Sequence, residues 1–412
     1  IGKDLAKTLL ENYGYRAIDL GVQVPLEKFL ETARRENADA IGMSALLVQT
    51  SNHMITVSKM LKDGGFDFPI LVGGAPVNWR HAGYVSMWGQ DDLDQLRPDV
   101  FYCESAMDGV NVMNELVDKK NSKSYIEKNK QLLANEYCRA KGMKAEHERL
   151  LEKLKPRKVS FKNHSPQNDG FGIHLVEFKI GKLRLDSKSL YSLNWKFGKQ
   201  SDWEKKGVTK EHLEHLKDEW VQKAEGNGWI IPRVRFGLLP AQSEGDELIL
   251  YDPDNLDSEL GRISFTQCIG KGRKDKFSVA QYFRSKESGI MDVAGLAIST
   301  AGNETDKVIA NFKKENDSES ALYLQGLSDR VAEDLMEYTH GLMRQRLGVK
   351  KEKAGQRYSP GYPALEGMIN NKVIYDVLNG KDIGVTLTDA NEFDPPSTTG
   401  CIVCFHKEAG YS

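Results

Sequence analysis

Apolar and polar residues alternate in two different rhythms along the first third of the chain. Apolar residues recur at helical spacing in four segments, KDLAKTLLENYG, PLEKFLETARREN, SNHMITVSKMLKDGG and MDGVNVMNELVDKK. Beside them lie four short apolar runs that predict strands, RAIDLG, ADAIGMS, FPILVGG and DVFYC. Strands that alternate with helices in this way are typical of a parallel sheet covered on both faces. The pattern therefore predicts a doubly wound α/β domain.

The ends of two predicted strands carry small and polar residues. Ser44 follows ADAIGM, and Gly73-Gly74-Ala75 follow PILV. Because doubly wound sheets bind ligands at the carboxyl ends of their strands, we expect these residues on one binding edge. No G-x-G-x-x-G sequence accompanies them, so an ordinary dinucleotide site is not indicated. Tight turns after strands also use glycine, and the glycine pair alone leaves both interpretations open.

The composition changes after the first domain. Residues 122–169 are highly charged and then polar and rich in turn-forming residues, which is typical of a helical linker. Residues 170–412 mix predicted strands, such as VRFGLLPAQSEGDELILYD and MDVAGLAISTAG, with one long amphipathic helix. That helix has apolar positions at Leu327, Val331, Leu335 and Tyr338. The pattern predicts an α+β domain over 170–412, distinct from the domain predicted over 1–121.

The segment GQRYSPGYPALEG has no apolar periodicity and contains two prolines. Proline fixes φ and glycine permits positive φ, so we expect a stiff, irregular loop rather than a helix or strand. Such a loop holds side chains at fixed angles, which suits ligand binding. A simple connection between two elements is the alternative.

Composition and charge narrow the class of protein. The 412 residues exceed what one hydrophobic core usually serves, so two domains are expected. A net charge of −2 argues against a nucleic-acid partner. Apolar runs fall short of the roughly 20 residues of a membrane span, and no signal peptide is recognisable, which favours the cytoplasm and no membrane association. Since the sequence begins at Ile1, we expect it to be a piece of a longer chain.

The cysteines and paired histidines do not favour a metal site. Five scattered cysteines are not a disulfide framework. In the predicted strand TGCIVCFH, Cys401 and Cys404 would face opposite sides and could not share one zinc ion. His212 and His215 lie in a charged helical run, where a solvated helix face is the expected setting. We therefore predict no metal-ligating and no catalytic residue in this sequence.

The order of motifs in the first domain resembles the cobalamin-binding domain of cobalamin-dependent methionine synthases. The resemblance is carried by IGKDLAKTLLENYGYRAIDLGVQVP, IGMSALLVQTSNHM, LVGGAPVNWRHA and YCESAMDGV. It implies a Rossmann-like fold whose cofactor-binding residues are Gly2, Ser44, Leu46, Val48, Gly73, Gly74, Ala75 and Ala106. Ile1-Gly2 match the end of the family's D-x-H-x-x-G motif, so the histidine that coordinates cobalt is expected before Ile1. Val48 stands where the family often has threonine.

The second domain resembles the S-adenosylmethionine-binding activation domain of the same family. GLLPAQSEGDELILY, GLAISTAG, DRVAEDLMEYTHGLMR and RYSPGYPA follow one another in the family's order, and the last carries its R-x-x-x-G-Y motif. The implied ligand-binding residues are Asn194, Glu333, Arg357, Ser359, Gly361, Tyr362, Tyr411 and Ser412.

The charges of these residues suggest which part of the ligand each of them binds. Arg357 offers a bidentate fork to the methionyl carboxylate. Asn194, before Trp195, stands where the family has an acid for the ligand's ammonium, and Glu333 either shares that task or is an ordinary exposed helix residue.

Together the two resemblances imply the C-terminal half of a cobalamin-dependent methionine synthase. Such a piece would carry cobalamin, as methylcobalamin, and support its reductive reactivation by S-adenosyl-L-methionine and a flavodoxin-like or flavoprotein reductase. Homocysteine and folate domains are expected upstream, so the piece alone should not produce methionine. A corrinoid-binding module of another methyltransferase or regulator, and a non-catalytic S-adenosylmethionine-binding protein, are the alternatives.

Overall fold

The computed structural model describes residues 2–22, 24–45, 48–118, 120–161, 171–205, 207–349 and 355–410. The chain divides into two compact units, Ile1–Lys153 and Leu154–Ser412, which we call the first and second units. The division falls inside the segment that the sequence assigns to a linker.

The first unit is built on a three-stranded parallel sheet. Its strands are β1 (Ile41–Ala45), β2 (Ile70–Gly74) and β3 (Val100–Cys103), in that spatial order. Its helices are α1 (Gly2–Asn12), α2 (Leu26–Arg35), α3 (Val48–Asp63), α4 (Trp79–Met87), α5 (Ala106–Val117) and α6 (Ser122–Lys153). Buried residues of α3 and α4 pack against Met43 and Val72 on one face, and Val112 of α5 packs with Leu71 and Phe101 on the other. This is the doubly wound arrangement that the alternating pattern predicts.

The predicted strand RAIDLG is wrong, because residues 16–21 form no strand. The Asp19 carboxylate accepts hydrogen bonds from the Gly21 amide at 2.8 Å and from the Lys3 ammonium at 2.7 Å. A side chain that bonds its own backbone two residues on favours a turn over a sheet ladder. Residues 16–21 therefore do not join the sheet.

Helix α6 is charged along most of its surface but buries one stripe. Asn129, Leu133, Tyr137 and Ala140 are its buried residues. The Asn129 amide donates to the carbonyl oxygens of Pro98 and Val100, each at 2.8 Å. The helix therefore packs on the rest of the first unit through a narrow face with the 3.6-residue period.

The second unit contains a seven-stranded antiparallel sheet. Its strands are β4 (Gly172–Glu177), β5 (Arg233–Glu244), β6 (Glu247–Asp252), β7 (Asn255–Ser264), β10 (Asp292–Thr300), β11 (Gln356–Tyr358) and β14 (Thr398–Cys404), ordered β11-β14-β10-β5-β6-β7 with β4 paired to β5. Two small ladders pair β8 (Cys268–Ile269) with β9 (Lys276–Phe277) and β12 (Thr386–Leu387) with β13 (Phe393–Asp394). The helices are α7 (Ser187–Ser189), which continues as a π-helix over Leu190–Asn194, α8 (Gln200–Lys205), α9 (Lys210–Gly226), α10 (Glu304–Lys314), α11 (Ser318–Arg346) and α12 (Ile369–Leu378).

The sheet of the second unit separates two apolar layers. Along β10, Leu296 packs in the layer that contains α12, whereas its neighbour Ala297 packs in the layer that contains α11. The predicted long amphipathic helix is confirmed as α11, in which Leu327, Val331 and Leu335 are fully buried. Tyr338, predicted on the same apolar face, is 44% exposed.

Within the described ranges, no helix combines the length and the apolar content needed to cross a bilayer.

Candidate functional site

The carboxyl ends of β1 and β2 bring the predicted small residues side by side. Ser44 is paired in register with Gly73, and Ala45 with Gly74. Ser44, Gly74 and Ala75 are exposed, while Gly73 is half-buried. At this edge of the parallel sheet, small residues leave the backbone accessible, so a ligand can approach it closely.

The structure gives a reason for glycine at positions 73 and 74 that does not depend on a ligand. A Cβ atom at Gly74 would lie 2.1 Å from the Ala45 carbonyl oxygen, and its φ of +113° is one that side chains rarely adopt. A Cβ atom at Gly73 would lie 2.8 Å from the Cys103 carbonyl oxygen. Both positions therefore require glycine for strand pairing alone. A bulky substitution at either one cannot report on ligand contact.

The other cobalamin-site candidates lie at the starts of helices. Ala106 is the first residue of α5 and is half-buried, behind a capping box in which Ser105 and Asp108 bond reciprocally. Gly2 begins α1 and Val48 begins α3. Leu46 lies outside the described residues.

In the second unit, the structure brings Arg357 and Glu333 together. Arg357 lies on β11, paired with Val403 of β14, so its side chain projects from the sheet face that α11 covers. Its Nη2 atom is 3.6 Å from Oε2 of Glu333 on α11, and the two side chains are 22% and 46% exposed. Opposite charges thus lie side by side within reach of solvent.

The prediction that the segment GQRYSPGYPALEG contains no strand is wrong for Gln356–Tyr358. These residues pair with β14, a partner that their own sequence pattern does not reveal.

The remainder of the R-x-x-x-G-Y segment forms a closed turn. The Gly361 amide donates to the Leu365 carbonyl at 2.9 Å, and the Leu365 amide donates to the Tyr362 carbonyl at 2.8 Å. Gly361 has a φ of +92°, which glycine adopts without strain. Ser359 is half-buried, and the Tyr362 ring is 55% exposed. Tyr411 and Ser412 lie outside the described residues.

Asn194 ends the π-helix with a buried oxygen that lacks a partner. Its Oδ1 atom accepts no hydrogen bond from the part of the chain that the structure describes. The close approach of this turn to α11 depends on Gly326, where a Cβ atom would lie 2.6 Å from Cδ1 of Trp195 and 3.1 Å from the Cβ atom of Asn194. Glu333 lies seven positions after Gly326 on α11, which places Asn194 about 10 Å from Glu333 along the helix axis.

Between these two points α11 carries a half-buried acid, Asp329, that the sequence analysis missed. Oδ1 of Asp329 accepts hydrogen bonds from Nε2 of Gln325 at 2.9 Å and from the Ser397 hydroxyl at 2.7 Å. Burial raises the pKa of this carboxyl, although both hydrogen bonds favour its charged form. The apolar spacing of α11 gives no signal for it, since Ser397 approaches from a distant segment.

Replacing Asp329 by asparagine should stabilise the protein at neutral pH. A carboxyl whose pKa is raised by folding adds stability as the pH falls towards its ordinary pKa of about 4, and that contribution is lost as the pH rises through the raised value. Because both bonds end on Oδ1, the asparagine oxygen can accept them. We expect a thermal midpoint a few degrees higher at pH 8, with a smaller difference near pH 5, measured by scanning calorimetry. The prediction would be contradicted if the rise in thermal midpoint of the variant over the parent chain were smaller at pH 8 than at pH 5.

The cysteines and histidines considered for metal binding lie apart. Cys401 and Cys404 are buried in the two different layers of the second unit, on opposite faces of β14. Burial raises the pKa of the Cys401 thiol to about 12, which keeps it protonated. His212 and His215 are exposed on α9. Among the described residues, no three or more His, Cys, Asp or Glu side chains are grouped to hold a metal ion.

Comparisons with known proteins agree with this two-unit organisation. Residues 188–412 match the family of the vitamin B12 dependent methionine synthase activation domain, and residues 1–120 match the B12 binding domain family. The methionine synthases of Mycobacterium tuberculosis and Mycobacterium leprae are 25% and 24% identical to the chain over its whole length.

A solved structure supports the fold of the second unit. The crystal structure of the MetH reactivation domain bound to AdoHcy has a TM-score of 0.56 and 22% identity, covering 63% of this chain and 86% of that one. At this identity the likeness concerns the fold. The chain spans 37% of the length of each mycobacterial relative.

Proposed function

Since the chain belongs to the family of vitamin B12-dependent methionine synthase activation domains, we propose that it carries cobalamin in its first unit and binds S-adenosyl-L-methionine in its second. Through these two ligands it would serve methyl transfer to homocysteine and the reductive reactivation of the cofactor. The division of the chain into a cobalamin-binding domain over 1–121 and an activation domain over 170–412 is part of this proposal.

The observation that carries the proposal is the Arg357–Glu333 pair. An α-amino acid bears a carboxylate and an ammonium on one carbon atom, and this pair presents the two complementary charges side by side. The Arg357 fork would bind the methionyl carboxylate and Glu333 the ammonium. Both side chains are partly exposed, so contacts with a ligand can replace their contact with each other.

Groups further along α11 and in the R-x-x-x-G-Y segment would complete this second site. The unpartnered oxygen of Asn194 would accept a hydrogen bond from the ligand, since a buried acceptor without a partner costs free energy that a donor recovers. Gly361 would allow close backbone approach and Tyr362 would offer its exposed ring, with Ser359, Tyr411 and Ser412 as further proposed contacts.

The first unit fits the proposed cofactor at the carboxyl edge of its sheet. Ser44, Gly74 and Ala75 leave that edge free of bulky side chains. There the Ser44 hydroxyl would bond the cofactor, and the glycine backbone would lie against it, with Gly2, Leu46, Val48 and Ala106 around the edge. Bound cobalamin would supply the cobalt centre for methyl transfer, whereas the protein groups orient it.

Homocysteine and folate would be handled by domains that lie upstream in methionine synthases. For the reductive step we propose an electron donor of the flavodoxin-like or flavoprotein reductase class.

The proposal predicts that the purified chain binds both ligands and that Ser44→Ala weakens only one of them. Loss of a hydroxyl bond worth about 1 kcal/mol should weaken cobalamin binding about five-fold, measured by titration of the visible corrin spectrum. Because Ser44 is exposed, folding should be unaffected. The calorimetric affinity for S-adenosylmethionine should also stay unchanged, since the two sites belong to separate units.

Ser124→Ala, at an exposed position of α6, is the matched control and should leave both affinities at the parent value. Failure of the parent chain to bind either ligand would refute the proposed function. Equal cobalamin affinity in the parent and Ser44→Ala would remove Ser44 from the site while leaving the function standing.

A further inference from the structure

Asp329 lies one helical turn before Glu333 on α11. Side chains four residues apart on a helix are neighbours, because one turn advances only about 5.4 Å and returns to the same face. Burial raises the pKa of Asp329, and the negative charge of Glu333 raises it further, as expected for adjacent acids. Asp329 therefore shares the face of α11 on which Glu333 meets Arg357.

The Asp329 carboxyl group is satisfied by protein donors at only one of its two oxygens. The hydrogen bonds from Gln325 and Ser397 both end on Oδ1, and Oδ2 has no donor in the part of the chain that the structure describes. Lys196 lowers the pKa of Asp329, but by less than burial raises it. The described protein groups thus leave Oδ2 and most of the negative charge uncompensated.

Further acceptors lie close to Asp329. Burial raises the pKa of Asp306, and the charges of Asp394 and Asp329 raise it further. Less than one turn before Asp329, at Gly326, the buried oxygen of Asn194 lacks a described donor. An uncompensated acid destabilises the free chain, so its presence among unsatisfied acceptors favours a function in binding a positively charged ligand.

S-adenosylmethionine carries a second positive charge, its sulfonium, at a distance that fits this arrangement. The sulfur atom is three bonds from the α-carbon, which is roughly 4 Å in an extended chain, and one turn of α11 is about 5.4 Å. With the carboxylate on Arg357 and the ammonium on Glu333, as proposed above, the sulfonium can lie beside Asp329.

We infer that Asp329 recognises the sulfonium of S-adenosylmethionine and makes the second unit select this ligand over S-adenosylhomocysteine. The demethylated compound is a neutral thioether at the same position, so it keeps the contacts with Arg357 and Glu333 and gains nothing from Asp329. The inference rests on the proposed function of the second unit and adds to it the group that distinguishes the two ligands.

Asp329→Asn tests the inference, because asparagine keeps the size of the side chain and an oxygen that can accept both hydrogen bonds. At pH 8 the affinity for S-adenosylmethionine should fall about ten-fold, since an opposite charge is lost in a partly desolvated site. The affinity for S-adenosylhomocysteine should stay at the parent value. Titration calorimetry with each ligand measures both, and the thermal midpoint of the free variant shows that it is folded.

Glu337→Gln is the matched control. Glu337 lies one turn beyond Glu333 on the same helix, but it is exposed, so water and salt screen its charge. This variant should bind both ligands like the parent chain. The inference would be overturned if Asp329→Asn lowered both affinities equally or lowered neither, or if Glu337→Gln changed the ratio of the two affinities as much. If the parent chain binds neither ligand, the proposed function itself is wrong and this inference falls with it.

Discussion

Arg357→Ala should weaken the binding of S-adenosylmethionine by at least roughly 30-fold. Removing one partner of a charge-assisted, bidentate contact typically costs about 2 to 5 kcal/mol, and each 1.4 kcal/mol is tenfold in the dissociation constant. Arg357 is only 22% exposed, so part of its charge is already out of water before the ligand arrives. Isothermal titration calorimetry on the full chain measures the effect directly.

Three further variants separate charge, geometry and ring contacts. Arg357→Lys should recover only part of the affinity, because a point charge cannot reproduce the planar fork. Tyr362→Phe should cost less than Arg357→Ala, since it keeps the exposed ring and removes a hydroxyl. Arg262→Ala, on β7 beside Glu259, Glu244 and Glu247, removes another ion-paired arginine and should leave the affinity unchanged.

Parent-like titration of a folded Arg357→Ala chain would show that the R-x-x-x-G-Y segment is only a connection between β11 and α12. The contact with Glu333 would then be an ordinary half-exposed ion pair, which typically contributes little to stability.

Gly74→Ala should destabilise the first unit by about 2 to 6 kcal/mol. A residue with a side chain at a φ of +113° is strained by about 1 to 3 kcal/mol, and forcing its Cβ atom against the Ala45 carbonyl adds a packing cost of about 1 to 3 kcal/mol. Urea denaturation followed by circular dichroism should show an earlier transition. Hydrogen exchange should assign that transition to β1 and β2.

Substitutions at two other glycines of the first unit separate the backbone strain from the packing cost. Gly65 also has a positive φ, of +70°, but a Cβ atom there would meet nothing within 4 Å, so Gly65→Ala should cost only about 1 kcal/mol. Gly42 lies within β1 with free space around its Cβ position and no positive φ, and Gly42→Ala should be nearly neutral. A Gly74→Ala chain as stable as Gly42→Ala would contradict the close approach of β2 to β1.

The parts of the fold that follow from the sequence are those set by local periodicity. Helix α11 is recognisable because Leu327, Val331 and Leu335 recur with the period of a helix, and β10 because its apolar run ends in small residues. The RAIDLG segment shows the limit of this reasoning. Its apolar residues permit a strand, but the Asp19 carboxylate binds the Gly21 amide and the Lys3 ammonium instead.

The arrangement of the candidate site depends on contacts between distant segments. Charge and residue type single out Arg357 and Glu333, but their proximity depends on the pairing of Arg357 with Val403 and on the face that α11 covers. The orphaned oxygen of Asn194 likewise requires a π-helix packed on Gly326, which no spacing rule predicts. The ligand roles of these residues therefore stay predictions that binding measurements decide.

The position of β14 in its sheet has a consequence for the order of folding. The strand Thr398–Cys404 lies between β10 and β11, so β11 has no sheet partner until β14 has docked. Pairing with β10 closes a long intervening loop, and such non-local contacts form slowly because their entropy must be lost before they are rewarded. We therefore expect Arg357 to acquire its orientation only once β14 has docked between β10 and β11. A form of the second unit in which β14 has not docked would lack the ladder that orients Arg357 and, with it, the proposed affinity for an amino-acid ligand.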